Sequence, residues 1–332
     1  MLIRYFIILL AFFYGMILGK YQVFPYDELR YAKHFITYAY KSIDFNRNVK
    51  CVENINSSFN VKDQISDYTF FIAGHTYSNN SALNEAFYLD LLNSKEKFSF
   101  GILAGDVVKK NTENSWSFLQ KQIGNLDYKI YISPGNHDIN SVPLIDIEPG
   151  DVGGGGREFI ENKYGKTYYK FIKNKDLFII LDSNNTNQSI LDKQLDFFKK
   201  TLNENYKTVK NIFIISHNMI YYDKNREPFS KARPNSDIAS NQEIDSNFWP
   251  TIYPILENLN NNIFIISGDT GWALGKELFC HKSRNITFLA TGMAGAIPQS
   301  GVGRSKHNLF FDKHYLIFDS INQIIKIRVR VI

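Results

Sequence analysis

The 332-residue chain is 44% hydrophobic and 15% aromatic, enough to bury one large core or two modest ones, and its composition is that of a globular protein, not a disordered one. Its formal net charge of +5 is dispersed, with no basic run interleaved with aromatics, so it speaks against a nucleic-acid groove. No repeat of fixed period is visible, and the only low-complexity piece is Gly153 to Gly156, which excludes solenoids and arrays.

The first element is the uncharged run Tyr5 to Gly19, with Arg4 before it and Lys20 after it. It fits the core of a signal peptide or a short signal anchor, and both export the rest of the chain. As a helix the run reaches about 22 Å against a hydrocarbon core of about 30 Å, so spanning would recruit Leu2, Ile3 and part of Tyr21 to Phe24. No A-x-A cleavage site is present after it. Residues 1–20 are therefore read as an uncleaved anchor ahead of a cleaved signal, with a buried soluble helix third. The body is expected outside the cytoplasm, in the periplasm or at the outer face of the inner membrane, with secretion as the alternative.

Residues 21–64 read as a stalk or packing helix and a linker, because Pro25 to Phe45 has helical apolar spacing with Pro25 near its start. Cys51 and Cys280 are the only cysteines and lack zinc-site spacing; a disulfide and two buried thiols both remain open.

From residue 65 to 332, continuous apolar strands alternate with helical patterns. Thr69 to Ala73 is a strand, followed by a helix from Ser81 to Leu92. Phe98 to Ala104 is the next strand, ending in Gly105-Asp106, and a helix with Trp116, Leu119 and Ile123 on one side comes after it. Lys129 to Ser133 ends in Pro134-Gly135-Asn136-His137-Asp138; the two NIFIIS runs, Asn211 to Ser216 and Asn262 to Ser267, end in His217 and in Gly268-Asp269. Unbroken apolar strands between helices predict an α/β fold with a sheet covered on both faces, and in such sheets ligands collect beyond the strand ends. The side chains that arrive there are His75, Asp106, Asn136, His137, Asp138, His217 and Asp269. Carboxylates, imidazoles and one amide oxygen form a donor set for a divalent metal such as Mn, Zn or Fe.

In order and spacing, Leu103-Ala104-Gly105-Asp106, Pro134 to Asp138, Ser216-His217 and Gly268-Asp269-Thr270-Gly271 resemble the calcineurin-like metallophosphoesterases from Tyr68 to the C-terminus. Lys163 to Phe171 before the strand Asp176 to Ser183, and Gln194 after it, are similar to that family's middle segment. The resemblance implies a sandwich of two mixed β-sheets flanked by helices, and a two-metal centre that hydrolyses phosphate esters. In matching positions Asp106 would bridge the metals, and Asn136 and His217 would hold the second. His137 would give a proton to the leaving group or stabilise the phosphoryl oxygens, and Asp138 would orient it by accepting its ring N–H.

The two ends of the pattern depart from the family. Its opening G-D-x-H becomes Gly74-His75-Thr76-Tyr77, with His75 where Asp is expected and Tyr77 where His is expected; the other register puts Ala73 on the Asp. In the closing G-H-x-H, Asp269 and Gly271 replace the histidines. One ion on Asp106, Asn136, His217 and Asp269 is expected, with a second weak or missing beside His75. A phenol with an ordinary pKa of about 10 is a poor ligand, so Tyr77 is read as a hydrogen-bond donor to substrate or water.

The expected function is an extracytoplasmic phosphoesterase acting on mono- or diesters with a reduced or altered metal centre. Its partners would be a phosphorylated small molecule, a glycan or a lipid head group, and the membrane through the N-terminal segment. The alternatives are a catalytically degenerate member binding an anionic glycan or lipid head group, and a metal enzyme of another reaction type on the same scaffold. Gly150 to Glu158 reads as a loop over the site with Arg157 as a phosphate contact; Tyr222 to Asn247 is the best candidate for substrate selection. His281, His307 and His314 could reach the site from late loops but read more simply as structural or exposed.

Overall fold

The structure is a computed structural model, and it describes residues 47–48, 66–78, 83–140, 151–152, 156–185, 188–232, 234–235, 246–270, 278–293 and 314–332. Contacts divide the chain into Met1–Phe45 with Ile332, and Asn46–Val331. The expected anchor over residues 5–19 and helix over 25–45 lie outside the described residues; all the strands and helices described belong to the second unit.

Two six-stranded mixed sheets carry the fold. The first has the order β1 (Arg47–Asn48), β12 (Ile324–Val331), β11 (His314–Ile321), β2 (Tyr68–Ala73), β3 (Phe98–Ala104), β4 (Lys129–Ser133), with β2, β3 and β4 parallel. The second runs β5 (Tyr169–Lys173), β6 (Asp176–Ile180), β7 (Asn211–Ser216), β8 (Asn262–Ser267), β10 (Ile286–Ala290), β9 (Phe279–Ser283), with β6, β7, β8 and β10 parallel. Helices α1 (Glu85–Leu92) and α2 (Glu113–Gly124) make the crossovers of the first sheet, and α5 (Asp192–Asn205) joins β6 to β7. Between them lie the one-turn α3 (Asn136–Ile139) and α4 (Arg157–Tyr164), and α6 (Tyr253–Leu256) precedes β8.

The unbroken apolar strands result from this layering. In the second sheet, Phe178, Ile180, Phe213, Ile215, Phe264 and Ile266 face the first sheet, while Leu177, Ile179, Ile212, Ile214, Ile263 and Ile265 join Phe198 and Leu202 of α5. A strand with a sheet on one side and a helix on the other has no polar face. The first expected helix begins at Glu85, not Ser81, with the Asn84 side chain accepting from the Phe87 N–H.

The shared motif explains how the sheets meet. The middle phenylalanines of DLFII and both NIFIIS strands are register partners, so Phe171, Phe178, Phe213 and Phe264 form a ladder with successive ring centroids 4.7 Å apart. Phe70 stacks between Phe100 (4.9 Å) and Phe318 (4.8 Å) in the facing sheet, and meets Phe178 and Phe213 edge-on at 5.2 and 5.4 Å. Edge-to-face contact suits the ring quadrupoles and fills the space between sheets. At the far end of the same strands, the buried Asp176 carboxylate accepts from Tyr68 Oη (2.5 Å), Asn211 Nδ2 (2.6 Å) and Ser320 Oγ (3.1 Å), tying the two sheets by polar contacts.

Phe70→Ala should lower unfolding free energy by about 3–5 kcal/mol, and Phe70→Leu by clearly less, in guanidinium titrations. Equal losses for both would place the stabilisation elsewhere than in this junction.

Candidate active site

The parallel strands of both sheets end at one rim, and there the chain turns sharply. After β2, the His75 N–H donates to Gly105 O (2.9 Å) and the Tyr77 N–H to Asp106 O (3.0 Å), so the turns after β2 and β3 brace each other. After β7 and β8, the Gly268 and Asp269 N–H groups both donate to His217 O at 2.9 Å. The sheets touch between these pairs. His217 Nδ1 lies 3.1 Å from Ala104 O, and a Cβ on Gly268 would fall 1.8 Å from that same oxygen. Gly105 has φ +82°, and a Cβ there would sit 2.4 Å from His217 Nδ1. Glycine is required there for both conformation and space.

Asp106 is the hub. Its Oδ2 lies 3.3 Å from His75 Nδ1, and its Oδ1 lies 3.4 Å from His217 Nε2 while accepting from the His137 backbone N–H at 3.1 Å. Asp269 Oδ1 is 4.0 Å from His217 Nε2. His75 and Asp106 both adopt left-handed backbone, φ +50° and +54°, a cost of order 1–3 kcal/mol each that is typical of functional sites.

Burial pushes the Asp106 carboxyl up, but His217, and then His75, hold it well below the usual carboxylate range. Burial pulls His217 down, yet Asp106 and then Asp269 outweigh it and raise the imidazole to about 10. Asp138 is pushed up to about 6 by burial and then by Asp106, against the N–H groups it accepts from. Burial, then Asp106 and Asp138, push the Tyr77 phenol up, so it stays a protonated O–H.

The structure brings His75, Tyr77, Asp106, His137, His217 and Asp269 together. Tyr77 lies between two imidazoles, its ring centroid 4.9 Å from those of both His75 and His137. Asn136 opens α3 on the adjoining turn, half-buried, and its amide takes no hydrogen bond among the described residues. Among the described residues, the buried His217 Nε2, both ring nitrogens of His75 and Thr76 Oγ1 make no hydrogen bond. Unpaired buried nitrogens are rare and facing carboxylates are what a cation uses, so His217, Asp106 and Asp269, with the Asn136 amide, are the residues that could hold one. Among the described residues, no group of three or more His, Cys, Asp or Glu side chains is drawn close enough to form a metal cage as it stands.

Two expected contacts are corrected. Asp138 does not accept from the His137 ring: its Oδ1 takes the N–H groups of Val107 (2.9 Å) and Val108 (3.0 Å), and its Oδ2 that of Gly135 (2.7 Å). His137 Nδ1 lies instead 2.8 Å from Lys109 O. Arg157, expected at phosphate, donates through Nε to the buried Asp182 Oδ2 (2.6 Å) and through Nη2 to Asn184 O and Asn185 Oδ1 (3.3 Å each), a pairing that neutralises a carboxylate taken out of water. Of the loop before it, Asp151 Oδ1 accepts from the Asn114 and Val152 N–H groups at the start of α2. His281 packs against Phe229 (5.2 Å between centroids) on β9, and His314 is buried at the start of β11; His307 lies outside the described residues.

Sequence reasoning passed over Asn184 and Asn218. Asn184 Nδ2 donates to Pro134 O (2.8 Å) and Asn218 Nδ2 to Ser183 O (2.9 Å), joining the turns after β4, β6 and β7. Asn218 comes two residues after β7, the signal that singled out Asp106 and His217, whereas Asn184 stands four residues beyond β6. Gln194 clamps the same turn, accepting from Asp182 N (2.7 Å) and donating to Asp182 O (2.8 Å).

Comparison with known proteins agrees with this framework. The model of the calcineurin-like phosphoesterase family matches residues 63–270. A purple acid phosphatase from yellow lupin (Lupinus luteus) seeds shares the fold at TM-score 0.53 and 12% identity over 81% of this chain, which spans about half (52%) of that protein. A dimetal phosphatase from Danio rerio (TM-score 0.46, 9% identity, covering 76% of this chain and 92% of that one) and Vps29 from Chaetomium thermophilum (0.33, 10%, 80% and 97%) are more remote. No curated protein sequence matches the chain. With the matched segment enclosing every strand-end turn of the site from His75 to Asp269, the chain belongs to the calcineurin-like phosphoesterase family.

Proposed function

We propose that the chain is a metal-dependent phosphoesterase, hydrolysing phosphate mono- or diesters, with a reduced metal centre of one Mn, Zn or Fe ion on Asp106, Asn136, His217 and Asp269. The observation that carries this is the buried His217 Nε2, which makes no hydrogen bond among the described residues and stands 3.4 Å from Asp106 and 4.0 Å from Asp269 where both sheets end. A divalent ion bound there supplies a Lewis acid for the phosphoryl oxygen and an acidified water. The chain's own groups do the rest. Hydrolysis adds a water oxygen to phosphorus and breaks the ester P–O bond; the His137 ring gives the leaving oxygen its proton, and the protonated Tyr77 phenol donates to a phosphoryl oxygen. His75, on the far side of Asp106, either binds a second ion or contacts phosphate.

A second reading has its own support. The lack of a closed cage among the described residues, with Gly271 in place of a ligand residue, favours a degenerate member binding an anionic glycan or lipid head group at the membrane surface. Metal analysis after reconstitution with Mn or Zn, together with turnover of an aryl phosphate and a bis-aryl phosphodiester, separates the two. About one ion per chain is expected, with Asn136→Ala and His217→Ala losing metal and at least about 100-fold in turnover. His137→Gln should keep the metal and lose about 10²–10⁴-fold. No metal and no turnover would leave the binding module.

We infer that the body lies outside the cytoplasm, tethered by the apolar run between Arg4 and Lys20. That run supports the reading; Cys51 lies outside the described residues. Among the described residues no helix is long and apolar enough to cross a membrane, so the tether rests on the N-terminal run alone. Detergent phase separation should put the full-length chain in the detergent phase and a chain lacking residues 1–20 in the aqueous phase; a full-length chain that stays aqueous would remove the anchor.

A further inference from the structure

We propose that the main-chain carbonyl of Lys109 presents His137 as its Nδ1–H tautomer, and that Asp138 is the positioning residue that fixes this carbonyl without touching the imidazole. A carbonyl oxygen can only accept, so its 2.8 Å contact with Nδ1 requires the proton on that nitrogen. Nε2 is then the nitrogen that takes up a second proton and from which the ring gives it to a ligand.

Asp138 is fully buried, and both its oxygens are committed to backbone N–H groups. Two of these belong to Val107 and Val108, the residues immediately before Lys109. The carboxylate of Asp138 and the imidazole of its neighbour thus grip one short loop at two points, closing a ring that runs from Asp138 through Val108 and Lys109 to His137. A four-residue helix such as α3 has too few internal bonds to hold itself, so this ring, with the His137 N–H on Asp106 Oδ1 at 3.1 Å, sets where the imidazole stands. The arrangement orients the ring as a carboxylate partner would, with the uncharged Lys109 carbonyl as the acceptor on the imidazole. The use of the tautomer in catalysis rests on the proposed hydrolysis; the geometry does not.

The test uses the full-length chain with ¹⁵N-labelled histidine and Zn as the only divalent ion, read by long-range ¹H–¹⁵N correlation in alkaline buffer, with His137→Asn assigning the signal. The wild type should show a pyrrole-type Nδ1 and a pyridine-type Nε2. Lys109→Met should keep that pattern, since only its carbonyl is used. Asp138→Asn should lose it and cut kcat on the aryl phosphate about 10–100-fold with little change in KM. Should that variant fail to fold, Asp138→Glu serves in its place. An Nε2–H pattern in the wild type, or an unchanged pattern in the Asp138 variant, overturns the proposal. The expected tautomer in a wild type without turnover would sink the phosphoesterase reading and leave this one standing, whereas turnover with an Nε2–H ring would do the reverse.

Discussion

The site depends on the backbone contact between the two sheets at one rim of the sandwich. A phenylalanine-filled interior holds the sheets apart, yet at Ala104 and Gly268 they close until no side chain fits between them. That closure lets His217, from the second sheet, reach the Ala104 carbonyl of the first with one ring nitrogen and Asp106 with the other. Without it, the donors of β2, β3 and β4 and those of β7 and β8 would form two half-sites. The aromatic ladders supply the complementary constraint, because edge-to-face rings fix the spacing from which the rim converges.

Electrostatics then make the rim reactive in a particular sense. A buried carboxylate is costly unless paired, and Asp106 is 2% exposed with an imidazole on each side. The pairing holds Asp106 ionised and His217 protonated, so in the metal-free chain the positive charge that a cation would bring is already partly supplied. A cation entering beside His217 must displace that proton, which couples metal uptake to proton release.

Much of this was legible in the sequence, for a physical reason. Strands apolar on both faces and followed at once by Gly-Asp, Gly-Asn-His-Asp or Ser-His can do little else than deliver polar side chains to a rim, and His75, Asp106, His217 and Asp269 sit where that logic puts them. The duties of Asp138 and Arg157 were not legible. Asp138 binds three backbone N–H groups, which leave no trace in residue identity, and Arg157 answers Asp182, a carboxylate whose burial emerges only once β6 and α5 are packed. The meeting of two sheets instead of one was legible through the family resemblance and not through the apolar pattern, since helix-covered and sheet-covered faces call for the same apolar residues.

The opening turn owes its shape to its main chain. His75 and Asp106 hold left-handed backbone that an L-residue adopts at a cost. What holds them there is not their side chains but the main-chain bonds His75 N to Gly105 O and Tyr77 N to Asp106 O, with Met293 N on Gly74 O. A Cβ on Gly74 would fall 2.2 Å from Gly268 Cα, so the turn is also confined from outside. A turn over-determined by backbone keeps its shape whichever side chain stands at its apex. The framework that aims the site is thereby independent of the side chain at position 75, where the imidazole shares the carboxylate of Asp106 at 3.3 Å.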